Sequence, residues 1–202
     1  MKKILLVILV VSLLVFAGVA GATVLYFDDL PTGMPIPNGY GGLNWSSLAA
    51  HSGTSGLSGY NAGEVSPSNV VFNGMDAMAV VSGSVFDFNG AYLTGAWNNN
   101  LSIEIQGYNT GTLLYDQTVT ASAYSPTWFE FNYLGVDELR FISFGGTPAP
   151  EYAPYGSSTQ FAMDNFTFNE PISAPVPEPG TMMLLGSGLV GLVGYGRRRF
   201  KK

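Results

Sequence analysis

The chain reads as an all-β protein, an antiparallel β-sandwich framed by an N-terminal signal helix and a C-terminal transmembrane helix. Three observations predict that class. Short runs rich in Val, Ile, Phe, Tyr and Thr recur between Gly, Asn, Pro and Ser. No window of about 15 residues carries a convincing helical period. About nine or ten such runs fall within fewer than 150 residues, the density of a sandwich.

The first element is an export signal over residues 1–22. Lys2 and Lys3 precede a run from Ile4 to Phe16 in which only Ser12 is polar, and Ala20-Gly21-Ala22 supplies the small-residue cleavage site. Cleavage after Ala22, with Ala20 and Ala22 as the small residues of the site, leaves Thr23 as the new N-terminus. That predicts passage through the Sec export machinery and cutting by signal peptidase; an uncleaved anchor is the competing reading.

The body is expected over residues 23–173. Its strands are read at 23–27, 70–72, 77–81, 91–94, 101–106, 111–115, 117–120, 129–133, 138–144 and 161–168. Leu101 to Gln106 and Phe129 to Tyr133 alternate strictly, which gives each strand one buried and one wet face. Asn109-Thr110-Gly111 suits a hairpin turn. Trp128, Phe129, Phe131, Phe141 and Phe144 are expected to form an aromatic core.

The last element, residues 174–202, is a second three-part signal. Ala174 to Gly180 is proline-rich and cannot be helical throughout. Residues 181–196 follow without a charge, and 197–202 form a basic tail. As a helix the uncharged segment spans about 24 Å, short against a hydrocarbon core of about 30 Å, a gap that snorkelling flanks can close. Arg197, Arg198 and Arg199 act as a membrane stop and stay cytoplasmic by the positive-inside rule, so the precursor is expected N-out and C-in across the inner membrane.

Val176-Pro177-Glu178-Pro179, the apolar Gly-rich segment and the three arginines together resemble the PEP-CTERM sorting signal. The resemblance implies processing by exosortase, a membrane-embedded protease or transpeptidase of Gram-negative bacteria. In it, Pro177, Glu178 and Pro179 would be the sorting motif. It also implies a destination at the cell surface or in an exopolysaccharide biofilm matrix. A permanent anchor with a chance Pro-Glu-Pro is the alternative. In the body, Phe27-Asp28-Asp29-Leu30, Gly39-Tyr40-Gly41-Gly42-Leu43-Asn44-Trp45 and Phe161-Ala162-Met163-Asp164-Asn165-Phe166 are similar to secreted jelly-roll modules of galactose-binding-like layout. That resemblance implies a jelly-roll-like sandwich.

Composition excludes several chemistries. The 202 residues hold 8 Lys plus Arg, 14 Asp plus Glu, one His and no Cys, for a net charge of −6. Without Cys there are no disulfides, thiolate metal sites or cysteine nucleophiles. Seven of the eight basic residues lie in the two end segments, so no basic face exists for a nucleic acid. With both ends and Glu178 removed, the body holds 13 acids against Arg140, a net charge of −12. Such a body is soluble, attracts cations and repels anionic polysaccharide unless divalent ions intervene.

The remaining candidates are few. His51 reads as an exposed loop residue, with no nucleophile elbow to make it part of a triad. Glu104 and Glu130 lie on alternating strands and are the only pair singled out for glycoside hydrolysis. No cofactor is certain; calcium is the ion the oxygen donors suit, with Asp28, Asp29 and Asp164 as ligands if the first and last strands are neighbours. Solvation of strand ends is the alternative. Tyr40, Trp45 and Trp97 are candidates for stacking on sugar rings, with Asn98, Asn99 and Asn100 beside Trp97 as hydrogen-bonding groups; core packing and a plain polar turn are the alternatives. The expected function is a non-enzymatic exported protein with a structural or binding role. A carbohydrate-binding module for extracellular polysaccharide is the second reading and a secreted hydrolase the third.

Overall fold

A computed structural model describes residues 21–54 and 56–171, together with Ser187. The chain divides into two units, Met1–Pro171 and Ile172–Lys202, and the first holds every described residue but Ser187. The signal through Ala20, the Pro177-Glu178-Pro179 motif and Arg197, Arg198 and Arg199 lie outside the described residues, as does segment 181–196 apart from Ser187. Among the described residues no helix is long and apolar enough to cross a membrane.

The body is built of strands β1 (Thr23–Leu25), β2 (Asn44–Ser46), β3 (Leu48–Ser52), β4 (Asn69–Asn73), β5 (Ala79–Gly95), β6 (Asn98–Asn99), β7 (Leu101–Asn109), β8 (Thr112–Ala121), β9 (Thr127–Phe144), β10 (Thr147–Pro148) and β11 (Phe161–Phe168). Among the described residues one short α-helix, α1 (Gly59–Ala62), and two 3-10 turns at Tyr40–Gly42 and Gly74–Asp76 interrupt them. The main sheet is antiparallel and runs β3-β4-β11-β5-β9-β7-β8, with β1 added to β11 and β2 to β5. First and last strands are therefore paired, Val24 opposite Thr167.

Two strands are much longer than the sequence predicts. β5 joins the runs at 77–81 and 91–94, and β9 joins those at 129–133 and 138–144. The joining segments carry Gly83 and Gly135, which read as strand breaks, and Asn132 lies inside the run at 129–133. Instead the pairing of β5 with β9 shifts register three times between Ser82 and Gly90, and Asn132 and Gly135 take left-handed φ of 51° and 67°. Bulges let each strand bend and continue, so Phe141 near the end of β9 packs on Phe161 of β11 at 5.9 Å between ring centres. A single sheet thus supplies both layers of the sandwich. β2 and β3 were not foreseen, because Leu48-Ala49-Ala50-His51-Ser52 has little β-branched or aromatic content. The hairpin between β7 and β8 turns on Thr110 and Gly111, both left-handed, as a two-residue loop requires.

Phe88 is wholly buried at the centre of the core, stacked on Phe166 at 4.8 Å and on Phe131 at 5.2 Å. Phe141 is also fully buried and Phe129 is partly so. Trp128 and Phe144 are not core residues; they are 38% and 45% exposed. Adjacent strand residues point to opposite faces, so Trp128 and Phe129 cannot both turn inward.

Candidate functional site

The chain from Gly53 to Ser68 leaves β3, crosses the outer face of β11 and β5, and returns into β4. Its ends meet where the Gly53 amide donates to the Ser68 carbonyl at 2.9 Å. α1 starts against β5, with the Gly59 amide donating to the Ala96 carbonyl at 2.8 Å. Gly59 is required by that approach, because a Cβ there would collide with the Gly95 carbonyl oxygen. Beyond α1 the loop is pinned by the buried Asp164 carboxylate. Val65 and Ser66 amides donate to Oδ2 at 2.8 and 2.9 Å, while the Ser66 hydroxyl and Asn165 amide donate to Oδ1 at 3.0 and 2.7 Å. Burial raises the Asp164 carboxyl above its ordinary value, against the pull of these bonds.

This loop walls a cleft of about 440 Å³ lined by His51, Leu57, Ser58, Tyr60, Trp97 and Tyr155. Tyr60 stands nearly perpendicular to Trp97, ring centres 5.6 Å apart, and also meets the His51 ring at 4.7 Å and the Phe72 ring at 5.3 Å. Gln160 Oε1 fixes both aromatic residues, accepting from the Tyr60 hydroxyl at 2.6 Å and the Trp97 indole N–H at 3.1 Å. Burial pushes the Tyr60 phenol far above its usual range and lowers His51, so both are neutral near pH 7. The Ser58 hydroxyl is buried without a hydrogen-bond partner. Leu57 and Tyr155 stand exposed, Tyr155 by 67%. Among the described residues the lining carries no carboxylate and no basic group other than the imidazole. It suits an uncharged ligand with an apolar face, the usual character of a small-molecule site.

Of the stacking candidates, Trp97 lines this cleft, and Gly156 covers part of its ring. Tyr40 and Trp45 belong to a separate aromatic cluster. Trp45 is 6% exposed, its ring meeting Phe27 at 5.7 Å and Phe166 at 5.4 Å, and its N–H donates to the Tyr40 carbonyl at 2.9 Å. Tyr40 stacks on Phe27 and donates to Asp29 Oδ1 at 2.7 Å. Asp28 accepts from the Asn69 amide at 2.9 Å. Among the described residues no three acidic or histidine side chains gather to hold a metal ion. Asn98 and Asn99 are engaged with Gly145 and Ala123.

His51 is not an exposed loop residue; it lies in β3 in register with Val70 and is half-buried beside Tyr60. Glu104 and Glu130 are not opposite one another in the sheet. Glu104 is in register with Ile142, whereas Glu130 faces Gly90 twelve residues back along β9. Each carboxylate is bonded to a neighbour on its own strand, Glu104 accepting from Gln106 at 2.5 Å and Glu130 from Asn132 at 2.6 Å. Tyr60, Tyr155 and Gln160 were missed by sequence reasoning. They sit in Gly- and Ser-rich loops, and the contact between Tyr60 and Gln160 spans 100 residues.

Comparison with known proteins bears mainly on the end of the chain. Residues 175–199 match the PEP-CTERM protein-sorting motif. No curated protein matches the chain. Among solved structures, the body is similar to TmCBM61 in complex with beta-1,4-galactotriose, at 9% identity over 69% of this chain and 98% of that one, with a TM-score of 0.36. It is also similar to CBM51 from Clostridium perfringens GH95 in complex with methyl-galactose, at 13% identity over 72% and 99%, with a TM-score of 0.32. Likeness at this level says nothing of what this chain binds. The chain carries a PEP-CTERM protein-sorting motif, the mark of an exported protein sorted at the Gram-negative cell envelope.

Proposed function

We propose that this is an exported protein, processed at its C-terminal segment by exosortase, whose acidic β-sandwich body holds a neutral sugar of the extracellular matrix in the Trp97 cleft. The observation that carries the binding reading is the cleft itself: a concave aromatic wall of His51, Tyr60 and Trp97, fixed through Gln160, with the exposed Tyr155 ring at its mouth. Aromatic faces suit the C–H faces of sugar rings, and a body of net charge −12 favours an uncharged saccharide over a uronic acid polymer. Sec export, signal peptidase cleavage after Ala22 and an N-out, C-in precursor in the inner membrane complete the route. The body acts as a binding element and not as an enzyme, a reading supported by the bonding of Glu104 to Gln106 and of Glu130 to Asn132.

Two measurements test it. Mass spectrometry of the protein from cells with and without exosortase should show the C-terminal segment lost only in the former; an intact chain through Lys202 in both overturns the processing. Affinity electrophoresis on neutral and acidic polysaccharides should retard the wild type on a neutral polymer and not Trp97→Ala; equal mobility of the two proteins on every polymer overturns the cleft.

A further inference from the structure

A second aromatic site lies on the same face of the sheet. Residues directly opposite in antiparallel strands point the same way, and three registers build one strip across four strands. Trp128 of β9 is opposite Tyr92 of β5, Gly90 of β5 is opposite Thr167 of β11, and Thr167 is opposite Val24 of β1. Three strand spacings of about 4.8 Å make that strip roughly 14 Å wide. It forms an open trough of about 380 Å³, lined by Val24, Tyr26, Tyr92, Trp128, Asn165 and Thr167.

Its construction differs from core packing in three respects. Gly90 has no side chain, and a Cβ there would fall 2.6 Å from Trp128 Cζ2, so the indole lies down across β5. Trp128 nevertheless stays 38% exposed, and Tyr26 across the trough is 48% exposed. Asn165 sits at a bulge with a left-handed φ of 51°, where the pairing of β11 with β5 slips between Asp164 and Thr167. The bulge keeps Asn165 on the outer face beside Thr167, while Phe166 turns inward to the core. Its Oδ1 is buried without a hydrogen-bond partner, and such an acceptor is expensive unless something donates to it. Exposed aromatic faces around an amide and a hydroxyl are what a sugar ring requires: an apolar face to stack and hydroxyls to bond.

We infer that this trough is a second site for a neutral saccharide, separate from the Trp97 cleft. The ligand class is the one proposed for the cleft, but the site stands on its own residues. Ala162 beneath the cleft and Thr167 in the trough are five residues apart on β11, about 17 Å, with the loop that Asp164 pins between them. One body would then hold two sugar segments, and two weak sites so linked bind a polymer far more tightly than either alone.

The test titrates full-length protein in detergent with cellohexaose, xylohexaose, laminarihexaose and galactotriose, following heat and tryptophan emission. Trp45 is buried, so the emission change comes from Trp97 and Trp128. Two sites per chain are expected for at least one probe. Trp128→Ala and Tyr26→Ala should each leave one site, and Trp97→Ala should leave one that still changes the Trp128 emission; circular dichroism checks each fold. Loss of all binding in Trp97→Ala, with Trp128→Ala and Tyr26→Ala unchanged, overturns the trough and leaves the cleft. The reverse pattern supports the trough and overturns the cleft. No saturable response of the wild type to any probe overturns both.

Discussion

Ser66 grips both oxygens of the Asp164 carboxylate, its amide donating to Oδ2 at 2.9 Å and its hydroxyl to Oδ1 at 3.0 Å. This contact joins residues 98 apart in sequence and fastens the cleft loop to the last strand of the sandwich.

Asp164→Asn should therefore destabilise the body. An amide can accept from Val65 and Ser66 through its oxygen, but its NH₂ then meets the Asn165 N–H, donor against donor. One buried donor loses its partner, at a cost of about 1–3 kcal/mol. Urea unfolding of the two proteins measures the difference, and hydrogen exchange should quicken at the Val65 and Ser66 amides.

Gly59→Ala should disrupt the start of α1. The new methyl would be driven against the Gly95 carbonyl and the Ala96 Cα, which belong to backbone that cannot move far. Overpacking of this kind costs about 1–3 kcal/mol. A fall in the urea midpoint, together with weaker retardation on the polymer that binds the wild type, is the expected result.

Tyr60→Phe and Trp97→Phe should not be additive. Each removes one of two donors to the same Gln160 oxygen, and each loss alone is expected to cost about 0.5–1.5 kcal/mol. Residues sharing a partner couple, so a double-mutant cycle by urea unfolding should return an interaction energy of at least about 0.5 kcal/mol.

His51 should make stability fall in mild acid. Burial lowers its pKa from the ordinary 6.5, so the folded protein holds it neutral while the unfolded chain protonates first. Above pH 6.5 both states are neutral and the group contributes nothing. As pH falls below 6.5 the unfolded state gains protons and stability is lost, until the folded pKa is reached. Asp164, shifted upward by burial, acts in the opposite sense, so the comparison needs a variant. Unfolding midpoints between pH 7 and pH 5 should fall more for the wild type than for His51→Gln.

Much of the strand pattern was legible, because alternation with a period of two follows from the pleat alone. Leu101 to Gln106 and Phe161 to Phe168 illustrate it. The bends were not legible: Asn132 and Gly135 favour left-handed φ in a turn and in a bulge alike, so a residue that ends a strand looks the same as one that bends it. The candidate site was legible in one residue, Trp97. Tyr60, Tyr155 and Gln160 become neighbours only because β3, β4 and β11 lie side by side. Trp128 was assigned inward as one of many aromatic residues, and its outward position followed only from its register with Tyr92.

Sequence by itself determined the PEP-CTERM motif, the acidity of the body and its β character. Each is written in contiguous residues or in a simple count, and a sorting motif works as an extended stretch whose order is its message. Tertiary structure alone decided the cleft and the trough. A concave aromatic site needs side chains from strands far apart in the chain, and whether Trp45, Trp97 or Trp128 faces solvent depends on strand register, bulges and the absence of a side chain at Gly90.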